Sequence, residues 1–200
     1  MLTSLMSMGV FALVGAISPG PVNIIATSCG ANFGFVRALP HVLGATLGYT
    51  LVVFLAGAGL NQVFQLYPQL TIILQYLGGG FLLYMSFKIA TANDTVNDLK
   101  TQKQPPSILQ GILAQCLNPK AWLVSISGVS LFVVSQPQPS VYLLAFCIIS
   151  FVMCFAGVAS WAAIGHLIRK YLRNARHRIM FNAVMGLLLS STVLSIFISS

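Results

Sequence analysis

Acidic side chains are nearly missing from this chain: its 200 residues hold no glutamate and two aspartates, Asp94 and Asp98. Charge of either sign is scarce, at 6% of residues against about 25% in an ordinary soluble domain. A water-facing surface cannot be built from that inventory. The four cysteines, Cys29, Cys116, Cys147 and Cys154, form no Cys-x-x-Cys motif, so that redox signature is absent. The basic excess, a net charge of +8, is spread over a mainly hydrophobic chain (57%) and reads as a membrane-topology signal rather than a nucleic-acid footprint.

What is present is uninterrupted apolar sequence. Residues 1–36, 38–87, 121–168 and 179–200 carry no Lys, Arg, Asp or Glu, and the two longest runs are each about twice the roughly 20 residues that cross a bilayer's hydrocarbon core. Turn residues divide both: Gly59-Leu60-Asn61-Gln62 through Tyr67-Pro68, and Ser135-Gln136-Pro137-Gln138-Pro139-Ser140. The pattern predicts helices at about 4–27, 39–60, 69–90, 109–134, 140–166 and 179–198. The apolar N-terminus has no preceding basic residue, and its pattern continues past Val14-Gly15-Ala16, so it reads as a first span rather than a secretory leader. No stretch is left for a soluble domain of useful size, so function must reside in the helices, without enzyme chemistry, cofactor or metal.

With six crossings, Arg37, Lys88, Lys100, Lys103, Arg169, Lys170, Arg173, Arg176 and Arg178 share one side. The positive-inside rule makes that side the cytoplasm and puts both termini outside. The polar segment 91–108, ending near Pro105-Pro106, links two groups of three helices, 1–90 and 109–200. Three helices on either side of the linker must enter the membrane from opposite faces. The expected fold is therefore all-α: six transmembrane helices as two inverted three-helix repeats, the plan of many secondary transporters.

Corresponding interruptions occur in the first helix of each half: Ser18-Pro19-Gly20-Pro21-Val22-Asn23 and Asn118-Pro119-Lys120-Ala121-Trp122. Pro19, Pro21 and Pro119 lack the N–H that would bond the carbonyls of Gly15, Ile17 and Gln115. Within a bilayer those acceptors need partners from other helices, water or a ligand. Each break also starts a half-helix, with Ser18 and Asn118 as candidate caps and a positive dipole end facing inward. A small zwitterion matches both features, its carboxylate at the half-helix starts and its ammonium at the carbonyls. Ser18, Pro19, Gly20, Pro21, Asn23, Asn118, Pro119, Lys120 and Trp122 are thus the candidate substrate-binding residues.

Those two motifs, with Gly44-Ala45-Thr46-Leu47-Gly48 in the second helix, resemble the LysE-type translocators, the LysE/RhtB superfamily of bacterial amino-acid exporters. The likeness spans essentially the whole chain. Ser86-Phe87-Lys88-Ile89-Ala90-Thr91 and Gly165-His166-Leu167 look most like the cysteine and O-acetylserine exporter branch. The resemblance implies efflux of small neutral amino acids or derivatives (cysteine, O-acetylserine, threonine or homoserine) across the bacterial inner membrane, driven by the proton gradient and without an ATPase. Where many members carry an acidic residue after the helix-two glycines, this chain has Tyr49. A proton would then fall to Lys120, to the substrate amine, or preferably to His41, whose ordinary pKa near 6.5 lies closest to neutrality.

Plainer readings accompany these. Lys120 could equally snorkel to the cytoplasmic surface, and His41, at a helix start, reads first as interfacial. Gly44 and Gly48, four apart, suit a close helix contact. Asn23 needs a partner, either substrate or a helix-one carbonyl. Cys29 and Cys116, one near each break, permit a membrane thiol–disulfide relay as a competing function, and a passive channel is a further one. The small-residue faces Ala156-x-x-x-Ser160 and Ala159-x-x-x-Ala163 leave packing within one chain and homo-oligomer formation both open. The topology is testable: reversing charge in the Arg169–Arg178 cluster should invert or scramble the membrane side of a reporter fused to the C-terminus, and an unchanged reporter side would contradict the assigned orientation.

Overall fold

The computed structural model describes residues 2–60, 66–91 and 104–198. Its elements are α1 (Leu2–Ile17), α2 (Pro21–Phe33), α3 (Phe35–Leu55), α4 (Pro68–Ala90), α5 (Ile108–Cys116), α6 (Pro119–Phe132), α7 (Pro139–Ile168) and α8 (Ala175–Ile198). A π-helical turn, Ala56–Leu60, follows α3, and a 3-10 turn, Arg169–Arg173, follows α7. Among the described residues there is no strand. Most of the linker, and with it Asp94 and Asp98, lies outside the described residues.

Proline sets many of the helix starts. It occupies the first turn of α2, α4, α6 and α7, where its fixed φ suits the helix and its missing N–H leaves no bond unmade. The start of α5 is held by a capping box instead. Ser107 accepts from the Gln110 backbone N–H, and the Gln110 side chain accepts from the Ser107 N–H. Gly34 joins α2 to α3 with φ +92°, a left-handed conformation that disfavours any side chain.

Among the described residues, three helices are long and apolar enough to cross a membrane: Phe35–Gly59, Pro139–Leu172 and Ala175–Leu194. The pair α1–α2, bent by 63°, passes together as a fourth. The first helix is broken at the Ser18–Gly20 step and the fourth, 109–134, is divided into α5 and α6, at the two interruptions the proline motifs mark. α4 and the pair α5–α6 stand where the sequence places its third and fourth spans, and are not among those that pass on length and apolarity.

The helices pack through missing side chains. α3 and α7 run through the middle, in contact with each other; α5 lies on α3, α1 and α2 lie on α7, and α4 pairs with α8. A Cβ at Gly44 would strike the Ile108 carbonyl, one at Gly48 the Ile112 carbonyl, and one at Gly111 the His41 carbonyl. On the α2–α7 crossing the same holds for Gly30 against the Ala162 carbonyl and Gly165 against the Thr27 carbonyl. Such backbone approach is the usual means of helix association where lipid removes the hydrophobic drive. Phe11, Phe132 and Phe146 fill the space between α1, α6 and α7, with ring centroids 5.5 to 6.4 Å apart. Large apolar side chains such as Ile72, Ile148 and Leu187 point outward instead, as a lipid-facing surface requires.

The packing predicts substitutions of opposite sign. Gly165→Ala should destabilise the protein by about 1–3 kcal/mol through overpacking. Gly80→Ala, with nothing within 4 Å of the added atom, should stabilise its helix by roughly 0.5–1 kcal/mol. Thermal unfolding in detergent would order the two, and equal effects would contradict the close crossing.

Candidate functional site

The first break begins where α1 makes its last bond, from the Ser18 N–H to the Val14 carbonyl at 3.0 Å. Pro19 and Gly20 carry the chain across, so α2 starts two residues later than a cap at Ser18 would need. Gly20 is its N-cap, with no side-chain hydrogen bond, and the Ser18 hydroxyl turns back to donate to the Gly15 carbonyl, 3.1 Å. Ser18 is thus not the cap its position suggested. Asn23 donates through Nδ2 to two carbonyls of the break, Ala16 and Ser18, both at 2.9 Å. Trp161 on α7 reaches the Ile17 carbonyl with its indole N–H at 3.0 Å.

The second break is tighter. Asn118 caps α6 by accepting from the Lys120 N–H at 3.1 Å, and its amide donates to Gln115 Oε1 at 3.1 Å. Its backbone N–H bonds the Gln115 carbonyl, 3.1 Å, and the Trp122 indole closes on the Cys116 carbonyl, 2.7 Å. All three acceptors freed by the prolines, at Gly15, Ile17 and Gln115, are therefore met by protein donors.

Lys120 joins the two breaks. Its ammonium donates to the Ser18 carbonyl and to the Ser18 hydroxyl, each at 2.6 Å, and approaches the Pro19 carbonyl at 3.2 Å. The half-buried side chain lies against Gly20, where any Cβ would crowd its stem. The cation resting on the first break therefore belongs to the second.

Between the breaks lies a cavity of about 30 Å³, lined by Gly20, Asn23, Asn118 and Lys120 together with Tyr49, Gln115 and Cys154. It admits water-sized molecules, so an amino acid would enter only if the helices parted. Tyr49 Oη and Ser125 Oγ are buried with no hydrogen-bond partner, whereas Gln115 is engaged by Asn118. Tyr49 and Gln115 escaped the sequence reading as wall residues. Tyr49 had drawn notice only for replacing an acid, and Gln115, an amide in an apolar run three residues before Asn118, was the available signal.

The remaining candidates fall elsewhere. His41 is completely buried, with neither ring nitrogen hydrogen-bonded. α3 begins at Phe35 rather than 39, which places His41 in its second turn and under α5. Pro19 is exposed, Pro119 and Trp122 are half-buried, and Pro21 is buried. Gly44 and Gly48 line the α3–α5 crossing and are not themselves part of the cavity lining. Cys29 and Cys116 are unpaired and differ in setting: Cys29 lines a separate pocket near Lys88, while Cys116 Sγ lies 3.8 Å from the Gly48 carbonyl. Among the described residues no three His, Cys, Asp or Glu side chains gather to hold a metal ion.

Comparison with known proteins adds a family. A model described as LysE type translocator matches residues 13–199. A protein named cysteine/O-acetylserine efflux protein in Salmonella paratyphi A is 27% identical over 187 residues, covering 94% of each chain. One of the same name in Escherichia coli O157:H7 is 27% identical over 195 residues, covering 98% of each. No solved structure matches.

The geometry at the first break predicts that Asn23→Leu, which takes the side-chain donor from the Ala16 carbonyl and leaves the Ser18 carbonyl to Lys120, costs about 1–2 kcal/mol of stability. Asn23→Gln should cost less if its amide still reaches the Ala16 carbonyl. Denaturation in detergent checks both, and an unchanged Asn23→Leu would show that the Ala16 carbonyl has another donor.

Proposed function

We propose, from the premise that this chain belongs to the LysE type translocator family, that it exports small neutral amino acids or their derivatives from the cytoplasm, compounds of the cysteine, O-acetylserine, threonine and homoserine kind. The names of the relatives favour the first two. The observation that carries the reading is the Lys120 ammonium on the Ser18 and Pro19 carbonyls, beside a cavity shared by both helix breaks.

That contact marks where a substrate ammonium has acceptors. A zwitterion entering the cavity competes with Lys120 for the Ser18 carbonyl and brings a carboxylate that the displaced lysine can pair with. The start of α2, which no side chain caps, offers N–H groups and a positive dipole end for the same carboxylate. Gly20 and Asn23 form one wall of this site and Asn118 and Lys120 the other, while Ser18, Pro19, Pro21, Pro119 and Trp122 shape the breaks that carry them. Tyr49, with its unpartnered hydroxyl, faces the substrate side chain.

The architecture we assign is six spans in two inverted repeats, 1–90 and 109–200, with the linker 91–108 and the basic ends in the cytoplasm and both termini periplasmic. Two pairings support it: α3 with α7, and α4 with α8, each joining an element to its counterpart under the repeat. Transport then proceeds by alternating access, the two units rocking about the breaks while the glycine-lined crossings slide. The proton gradient drives it, with His41, the buried imidazole of α3, as the proton carrier.

Two measurements test this. Pro21→Ala, which releases the φ that the proline fixes at the first turn of α2, should lower export of cysteine or O-acetylserine from overproducing cells about tenfold, as an effect near 1.4 kcal/mol would. Normal export would remove the break from the site. In vesicles, collapsing the proton gradient should end uphill movement while downhill exchange persists, and continued accumulation would exclude proton coupling.

A further inference from the structure

The end of α7 holds a cleft unrelated to the cavity between the breaks. About 700 Å³ in volume, it is walled by Asn32 from α2, His166 from the end of α7, Arg169 and Lys170 from the 3-10 turn, and Arg178 from α8. Three permanent cations and an imidazole thus converge on one concavity.

The cleft is shaped rather than a mere tally of basic residues. Gly34, at φ +92°, passes so close to Arg169 that a side chain there would strike its guanidinium, so the bare backbone makes room for the arginine. Asn32 is fixed by an amide pair with Asn182, Nδ2 to Oδ1 at 2.8 Å. Arg178 Nε is shielded from solvent, while Lys170 lies over the Tyr171 ring at 5.0 Å. One edge of the cleft is apolar: Leu167 belongs to its wall and is 67% exposed, and Ile164 continues the outward face one turn further into α7.

We infer that this cleft binds the phosphodiester headgroup of an anionic phospholipid, its acyl chains running along Leu167 and Ile164. Arginine guanidinium groups suit phosphate oxygens through paired N–H donors, and a basic pocket at the cytoplasmic ends of membrane helices is where anionic headgroups collect. The apolar edge favours a lipid over free phosphate, since inorganic phosphate gains nothing from Leu167. The assignment rests on the membrane setting and not on the exported substrate.

The test uses the full chain, purified in a neutral detergent and titrated separately with phosphatidylglycerol, phosphatidylcholine and inorganic phosphate, with binding followed by thermal unfolding. Phosphatidylglycerol should bind at least about tenfold more tightly than phosphatidylcholine. The double substitution Arg169→Gln with Arg178→Gln should remove that preference. Arg37→Gln with Arg176→Gln, taking the same charge from outside the cleft, should preserve it. If the first double variant fails to fold, Arg169→Lys with Arg178→Lys keeps the charge and should weaken binding through loss of the paired donors. Equal loss in the Arg169/Arg178 and Arg37/Arg176 glutamine variants, equal binding of the two lipids, or the same stabilisation by inorganic phosphate would each overturn the lipid site.

Discussion

A peptide group that leaves a helix inside a bilayer must find a partner without help from bulk water, and the centre of this protein is organised around that requirement. Two helices break, at 18–20 and at 117–118, and nearly every polar side chain nearby is committed to the result. Asn23, Trp161 and Lys120 attend to the first break, Asn118 and Trp122 to the second. Several of these bonds are local, but those of Trp161 and Lys120 span more than 100 residues of sequence. The breaks therefore hold the two halves of the chain together as well as interrupting them.

Around this polar centre the remaining packing is made from absence. The crossings of α3 with α5 and of α2 with α7 depend on glycines whose missing Cβ atoms admit a neighbouring backbone carbonyl. Each helix pair is thereby seated closely, because a Cβ at the glycine's place would hold the two backbones apart. The aromatic cluster of Phe11, Phe132 and Phe146 gives the opposite kind of contact, large rings meeting where Gly128 leaves space. Small-residue crossings and one bulky cluster together place the two breaks on either side of a single cavity.

Much of this was legible in the amino-acid sequence. Charge-free runs give apolar helices, and proline gives the breaks, because both are local rules of the chain. The partners were not legible, since they come from long-range approach. Trp161 sits in the middle of a span with nothing to mark it, and its bond to the Ile17 carbonyl depends on how α7 crosses α1. The start of α3 differs for a related reason: the expected helix begins at about 39, whereas α3 runs from Phe35 with Pro40 inside it, so His41 lies in its second turn. Ser18 looked like a cap until the extended Pro19-Gly20 step moved the start of α2 beyond its reach.

Lys120 is the lone Lys, Arg, Asp or Glu between residues 104 and 168, and it rests on the carbonyls of another helix rather than on an acid. No countercharge within the spans travels with it. A rearrangement that carried this ammonium part of the way through the hydrocarbon layer would do work with or against the membrane voltage, up to about 2.3 kcal/mol per 100 mV for a full traverse. Under the proposed alternating access, the balance between inward-facing and outward-facing forms would then depend on the cell's resting potential as well as on its solutes.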